Sequence, residues 1–168
     1  MPRTLRTERL GLRLLDPEDL DVVHILFSSP GHTIGNGPVL ERAETLAWLE
    51  RRQLRHRVNG LAWYGLRDRD GSFVGNCGVF LGDRCGDDPE IGYEIDVPQR
   101  RRGYAREAAG IVTQAAHAAG HDQVWATIRP ANLASVLIAR AIGYSLVRSE
   151  ADAKGDLNYY LNVVGVLA

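Results

Sequence analysis

Three adjacent arginines, Arg100, Arg101 and Arg102, run into Gly103, Tyr104, Ala105 and Arg106, a segment whose side chains and backbone could hold a phosphate. Guanidinium groups pair bidentately with phosphate oxygens, and a glycine lets backbone N–H groups approach them closely. Upstream, residues 90–97 are rich in β-forming types and stop at Pro98; downstream, residues 104–119 are rich in alanine and close at Gly120. The arginines therefore occupy a loop that feeds a helix amino terminus. There the first N–H groups lack intrahelical partners and the helix dipole favours an anion. The chemistry expected is retention of a pyrophosphate by main chain and guanidiniums; the plainer use of the same residues is a solvated basic turn. A P-loop lysine does not follow Gly103 and no Gly-x-Gly-x-x-Gly run occurs, so the spacing is not that of ATP or NAD sites.

The remaining reactive side chains carry less chemistry. Cys77 falls in a strongly apolar run and reads as a small buried hydrophobe, while Cys85 lies in an acidic loop with no histidine beside it. Neither cysteine belongs to a metal-ligand pattern, and no metal site is expected. His117 and His121 flank Gly120 at a helix end, where a cation is favoured. His24 sits within a predicted helix and His56 among arginines, which leaves His32, just before Gly35-Asn36-Gly37, as the histidine placed to touch a substrate. Trp48, Trp63 and Trp125 suit core or cleft packing.

These residues need one compact framework. A chain of 168 residues with 45% hydrophobic content suits a single domain, residues 1–168, with no repeat or linker. The formal net charge of −1 and the lack of a basic face with interleaved aromatics exclude nucleic acid and acidic membranes as expected partners. No stretch approaches the ~20 apolar residues of a membrane span, and two cysteines are too few for a disulfide framework, so a reducing cytoplasm is expected. Leu10, Leu12 and Leu14 alternate as a first strand up to Leu15; Asp16-Pro17 then caps a helix over residues 18–27. A glycine-containing loop spans 31–38, and a helix over 41–58 has Ala43, Leu46, Ala47, Leu49 and Leu54 near one face, with Arg51, Arg52, Arg55 and Arg57 solvated. A hairpin of residues 61–67 and 73–81 follows, turning at Asp68-Arg69-Asp70-Gly71. The 90–97 strand, the arginine loop, the 104–119 helix and a strand at 124–128 make a strand-helix-strand unit. Asn132 caps a helix over 133–142, and strands 145–151 and 157–166 close the chain around Lys154-Gly155. The sum is a mixed α/β domain.

The order of elements and two motifs resemble the GNAT superfamily of acyl-CoA N-acyltransferases, and the likeness covers nearly the whole chain. Its phosphate-loop pattern, Arg or Gln, two residues, Gly, one residue, Gly or Ala, is met by Arg100-Arg101-Arg102-Gly103-Tyr104-Ala105. Asn132-Leu133-Ala134-Ser135, followed by Gly143-Tyr144, resembles the Asn-x-x-Ser and Gly-aromatic arrangement of the RimJ/RimL branch of ribosomal-protein amino-terminal acetyltransferases, as does the opening Thr7-Glu8-Arg9-Leu10-Gly11-Leu12-Arg13. The resemblance implies a mixed, mostly antiparallel sheet with a splayed parallel strand pair and flanking helices. It also implies acetyl-CoA as co-substrate, bound where the 90–97 strand parts from the 124–128 strand. The pantetheine arm would pair with the backbone of Ile95, Asp96 and Val97, and the pyrophosphate would reach the N–H groups from Arg101 to Arg106. Asn132 and Ser135 would face the pantetheine end.

Attack of an amine on the thioester needs a proton acceptor, support for the oxyanion, and a proton for the thiolate if it does not leave as the anion. Glu90, Glu94 and Asp96 share one strand face unless a bulge intervenes, which makes Glu90 first and Glu94 second as the base. A backbone N–H near Ile95 is the candidate oxyanion donor. Many superfamily members carry a tyrosine acid seven residues after the motif asparagine; here that position is Ala139, and the branch resemblance gives the role to Ser135. Asn132 would serve as a plain N-cap in any case. The expected activity is transfer of acetyl from acetyl-CoA to a primary amine, a protein amino terminus or a small molecule, with residues 28–40, the helix after them and the hairpin tip at 152–156 setting the acceptor. A cationic acceptor could be drawn by Asp83, Asp87, Asp88 and Glu90. The other reading is a non-catalytic acyl-CoA-binding regulatory module. A carboxyl-terminal edge strand could pair across a homodimer.

Overall fold

The structure, a computed structural model, describes residues 1–28 and 41–165. One eight-stranded sheet organises them in the order β1-β2-β3-β4-β5-β6-β8-β7. The strands are β1 (Thr4–Arg6), β2 (Gly11–Leu14), β3 (Trp63–Arg67), β4 (Phe73–Phe80), β5 (Glu90–Ile95), β6 (Gln123–Ile128), β7 (Ser145–Asp152) and β8 (Gly155–Val163). Every neighbouring pair is antiparallel except β5 and β6. Those two are in parallel register only at Glu90 and Trp125, beside a bond from Trp125 N–H to Pro89 O of 2.8 Å, and then part. The splay implied by the family resemblance is present.

Two helical layers cover the sheet. Period-two alternation sends Tyr64 and Leu66 of β3 and Cys77 and Val79 of β4 to one face, and a register shift opposite Leu66 and Arg67 brings Val74 to the same face, where they pack with Ala108, Ala109, Val112 and Ala116 of α3 (Tyr104–Ala118). Alanines let that helix sit close to the strands. Trp63, Phe73 and Phe80 point the other way, toward Val23, Leu26 and Phe27 of α1 (Leu20–Ser28) and Trp48 and Leu49 of α2 (Arg42–Asn59). The short α4 (Leu133–Ala141) follows β6.

Most boundaries expected from sequence fall within a residue or two of the observed ones, and the exceptions have local causes. Asp16 caps as expected, accepting from Glu18 N–H, yet the first turn, Pro17–Asp19, is a 3₁₀ turn. β1 has no sequence signature, being three residues held by pairing with β2. β5 ends at Ile95, not Val97, because Asp96 opens a 3₁₀ turn over Val97–Gln99. Leu54, expected at the core face of α2, is 52% exposed. The last strand, β8, is interior to the sheet and β7 forms the edge, which corrects the expected edge pairing at the carboxyl terminus. The expected loop at 31–38, with His32, lies outside the described residues. Among the described residues no helix is long and apolar enough to cross a membrane.

Candidate active site

The parting of β5 from β6 opens a cleft of about 570 Å³, walled by both strands, by α2 and by the start of α4. Glu90 and Glu94 both line it, as one strand face requires; Asp96 does not, since the strand has ended before it. The two glutamates differ in setting. Glu90 is 3% exposed, with Oε2 accepting from Thr127 Oγ1 at 2.8 Å and its carboxylate beside the Cys85 thiol. Burial and this carboxylate push the Cys85 thiol up to about 12, so it stays protonated.

Glu94 is the carboxylate whose pKa is moved toward neutrality. Burial raises its pKa from 4.5 to about 7, against the opposing effects of Asn76, Arg52 and Arg100. A base whose pKa lies near the working pH is ionised for much of the time and still binds a proton usefully. Its position is fixed by a buried chain of hydrogen bonds: Trp63 Nε1–H donates to Asn76 Oδ1 at 3.0 Å, and Asn76 Nδ2 donates to Glu94 Oε2 at 3.1 Å. Asn76 is fully buried in the middle of β4, where asparagine is disfavoured unless its amide is satisfied on both sides. Gly75 makes room next to it, since a Cβ there would stand 2.1 Å from Glu94 O.

Arg52 is a correction to the sequence reading, which placed it in solvent. Its guanidinium carbon lies 5.0 Å from the ring centroid of Trp48, 4.4 Å from that of Trp63 and 5.2 Å from that of Phe80. Desolvation, with Arg51 and Arg55 nearby, lowers its pKa to about 10, while Glu94 works the other way; it stays a cation at neutral pH. On the opposite wall the half-buried Ser135 meets the Tyr93 hydroxyl, whose pKa burial lifts to about 12 against that contact. The Ser135 N–H is held by Asn132 Oδ1 at 3.2 Å, so Asn132 is the N-cap of α4. Ala139 is buried, with no hydroxyl to offer.

The arginine loop closes the far end of β5. Gly103 caps α3 in the left-handed region at φ 84°, and Arg101 shares that region at φ 65°. Arg100 bends back, its Nε donating to Ile95 O at 3.0 Å. Arg101, Arg102 and Arg106 are exposed, whereas Tyr104 and Ala105 are half-buried. A brace from the first strands holds the loop. Arg9 donates to Arg102 O at 2.8 Å and pairs with Glu107 at 2.6 Å, and Thr7 Oγ1 also donates to Glu107. Burial works to raise the Glu107 pKa, but these bonds from Thr7 and Arg9 hold it below the usual carboxylate range. A helix starting on a left-handed glycine, a triple-arginine loop and a splayed parallel pair stand together here.

A family model described as an acetyltransferase (GNAT) domain matches residues 9–145. The chain belongs to the GNAT acetyltransferase family. Its activity class is acetyl-CoA-dependent acyl transfer. The uncharacterized N-acetyltransferase p20 of Bacillus licheniformis is 26% identical over 167 residues, covering 92% of this chain and 90% of that protein. Among solved structures, RimL, a ribosomal L7/L12 alpha-N-protein acetyltransferase in complex with coenzyme A, superposes with TM-score 0.83 at 17% identity, over 96% of this chain and 98% of its own. The ribosomal-protein-S5-alanine acetyltransferase of Vibrio fischeri does so with TM-score 0.80 at 15% identity, over 97% of each chain.

Within this GNAT domain the structure brings Glu90, Glu94, Asn132 and Ser135 to one cleft, whereas Gly103 and Arg106 line a separate hollow with Arg9 and Glu107. Sequence reasoning missed Asn76, Arg52, Tyr93 and the Thr7-Arg9-Glu107 brace. Two left a signal: a polar amide inside a glycine-flanked apolar strand, and an arginine one helical turn after Trp48. One consequence for the loop is testable. Gly103→Val meets only the flexible end of Arg9, at 3.2 Å from the new Cβ, but forces a β-branched residue into the left-handed region. We expect a folded protein whose coenzyme A affinity, read by calorimetry, falls about tenfold or more; unchanged affinity would remove the loop from the phosphate site.

Proposed function

We propose that this protein transfers the acetyl group of acetyl-CoA to a primary amine, with Glu94 as the proton acceptor and Ser135, in contact with Tyr93, beside the departing sulfur. The observation that carries this reading is Glu94: a carboxylate held near neutral pKa in the opening between β5 and β6, on the strand that leads directly into the Gly103 loop. It takes precedence over Glu90, whose carboxylate is committed to Thr127 and Cys85.

In the proposed reaction the amine nitrogen forms a bond to the thioester carbonyl carbon and the carbon–sulfur bond breaks. The proton lost from nitrogen goes to Glu94, and the thiolate either leaves as the anion or takes a proton through the Ser135 hydroxyl, which regains one from solvent in the same step. Backbone N–H groups of the loop from Arg101 to Arg106 would hold the pyrophosphate, and Ile95, Asp96 and Val97 would run beside the pantetheine arm; because Arg100 already occupies Ile95 O, its guanidinium anchors the strand end. A purely binding module gains nothing from a carboxylate tuned to neutrality, so we favour turnover. The ribosomal L7/L12 alpha-N-protein acetyltransferase among the similar structures makes an α-amine a natural class of acceptor.

The test is calorimetric titration with acetyl-CoA, followed in the same sample by thiol release on adding amines and amino-terminal peptides. Binding with amine-dependent release is expected; binding without release from any amine would favour the regulatory module, and no binding would overturn the reading. Ser135→Ala should lower kcat by about ten- to a hundredfold with acetyl-CoA affinity within a few-fold, and an unchanged rate would remove Ser135 from the chemistry.

A further inference from the structure

We propose that Arg52 is the anchor for a carboxylate on the acceptor, so that the favoured substrate is an amine carrying an acidic group within a few bonds of its nitrogen; this rests on Glu94 being the proton acceptor. Arg52 is an unusual wall for a cleft. Three aromatic rings hold it in place, yet among the described residues no carboxylate comes within ion-pair distance of it. Its Nε is buried with no hydrogen-bond partner among the described residues. A buried donor left unmade costs about 1–3 kcal/mol, and a cation more, so a partner arriving with the substrate would recover interaction that the free protein lacks.

Geometry narrows the partner. The guanidinium lies among three rings set steeply to one another, Trp48 to Trp63 at 84° and Trp63 to Phe80 at 50°, which offer its planar fork of N–H donors no acceptor oxygen, and that fork matches a carboxylate. The exposed Arg51 and Arg55 on the same helix add to the positive field. Glu94, of opposite sign, lines the same cleft and interacts electrostatically with Arg52. A zwitterion fits that pair: its ammonium faces the carboxylate that will take the proton, and its carboxylate faces the guanidinium. A free amino acid supplies this chemistry, and so does a peptide whose first residue is Asp or Glu.

Binding without turnover tests the idea. N-acetyl derivatives of glycine, alanine, methionine and glutamate would be titrated against their carboxamides, with fluorescence of Trp48 and Trp63 as the readout; acetylated peptides beginning with Asp or Asn form a second arm. We expect the acid to bind about 10- to 100-fold more tightly than the amide in at least one pair. The preference should vanish in Arg52→Gln and survive in Arg51→Gln, which removes the same charge from an exposed site. The arm that shows it identifies the source, amino acid or peptide. Equal binding of acid and amide, or no binding of either, overturns the proposal. A preference that persists in Arg52→Gln overturns it too, as does one lost equally in both variants, which would indicate a diffuse field. Far-UV circular dichroism and a thermal melt confirm that Arg52→Gln is folded, and Arg52→Lys, cationic but without the planar fork, should retain only part of the preference. Thiol release with neutral and acidic amines alike would sink this inference and leave the proposed function standing, whereas failure to bind acetyl-CoA would sink that function and, with it, the assignment of the bound acid as an acceptor.

Discussion

Glu94→Gln is expected to lower kcat/KM by about 10²- to 10⁴-fold, the usual contribution of a positioned general base, with acetyl-CoA affinity little changed. Glutamine keeps the shape and can still accept from Asn76 Nδ2, so basicity is what is lost. In the unaltered protein kcat/KM should rise with pH through an inflection at about 7, because below it the carboxyl is protonated and cannot take the amine proton. The variant loses that limb. Stability should move the opposite way. The folded pKa of Glu94 is raised above its ordinary 4.5, so its contribution is fully present below pH 4.5 and is lost as pH rises through about 7. Glutamine carries no charge at any pH and escapes that loss, giving a variant more stable at pH 8 by on the order of 2 kcal/mol and about equal near pH 4. A variant that keeps its rate, or keeps the pH limb, would show that Glu94 is not the base; one merely misfolded would not gain stability at pH 8.

The phosphate loop was legible because its signals are local. Pro98 ends a β-rich run, Gly103 stands just before the helix, and alanines follow at helical spacing. The strand carrying Glu90 and Glu94 was legible for the same reason. What selects between those two carboxylates was not, because it depends on contacts between distant parts of the chain: Trp63 from β3 and Asn76 from β4 aim Glu94, while Thr127 from β6 occupies Glu90. Arg52 misled for a related reason. Among five arginines between residues 42 and 57, helical periodicity places it beside polar neighbours, and only the packing of α2 over Trp63 and Phe80 turns it into the cleft. The brace of Thr7 and Arg9 on Glu107 spans about a hundred residues, beyond any periodic signal.

Gly78→Ala is expected to destabilise the fold by about 3 kcal/mol or more, although it adds a single methyl group. Gly78 is registered with Trp63 on β3 and with Gly92 on β5, and these two glycines leave the space over which the Trp63 indole lies. A Cβ at Gly78 would stand 2.5 Å from Trp63 Cα and 2.6 Å from Ala62 O, both backbone atoms of the adjoining chain, so no side-chain rotation relieves it. The strands would have to part where Val79 N–H donates to Ala62 O at 3.0 Å. For a domain of this size each kcal/mol moves the melting temperature by about 2–4 °C, so a fall of about 6–12 °C is predicted. Gly92→Ala meets the indole rim instead, 2.7 Å from Trp63 Cη2, where a tilt of the ring can make room. The smaller loss of stability should then come with a kinetic signature. Tilting breaks the Trp63 to Asn76 bond and loosens the amide that holds Glu94 ionised, so the acid limb of kcat/KM should shift to higher pH. A Gly78→Ala protein that melts like the unaltered one, or a Gly92→Ala protein with an unmoved limb, would show that these glycines are not what seats Trp63 and, through it, the base.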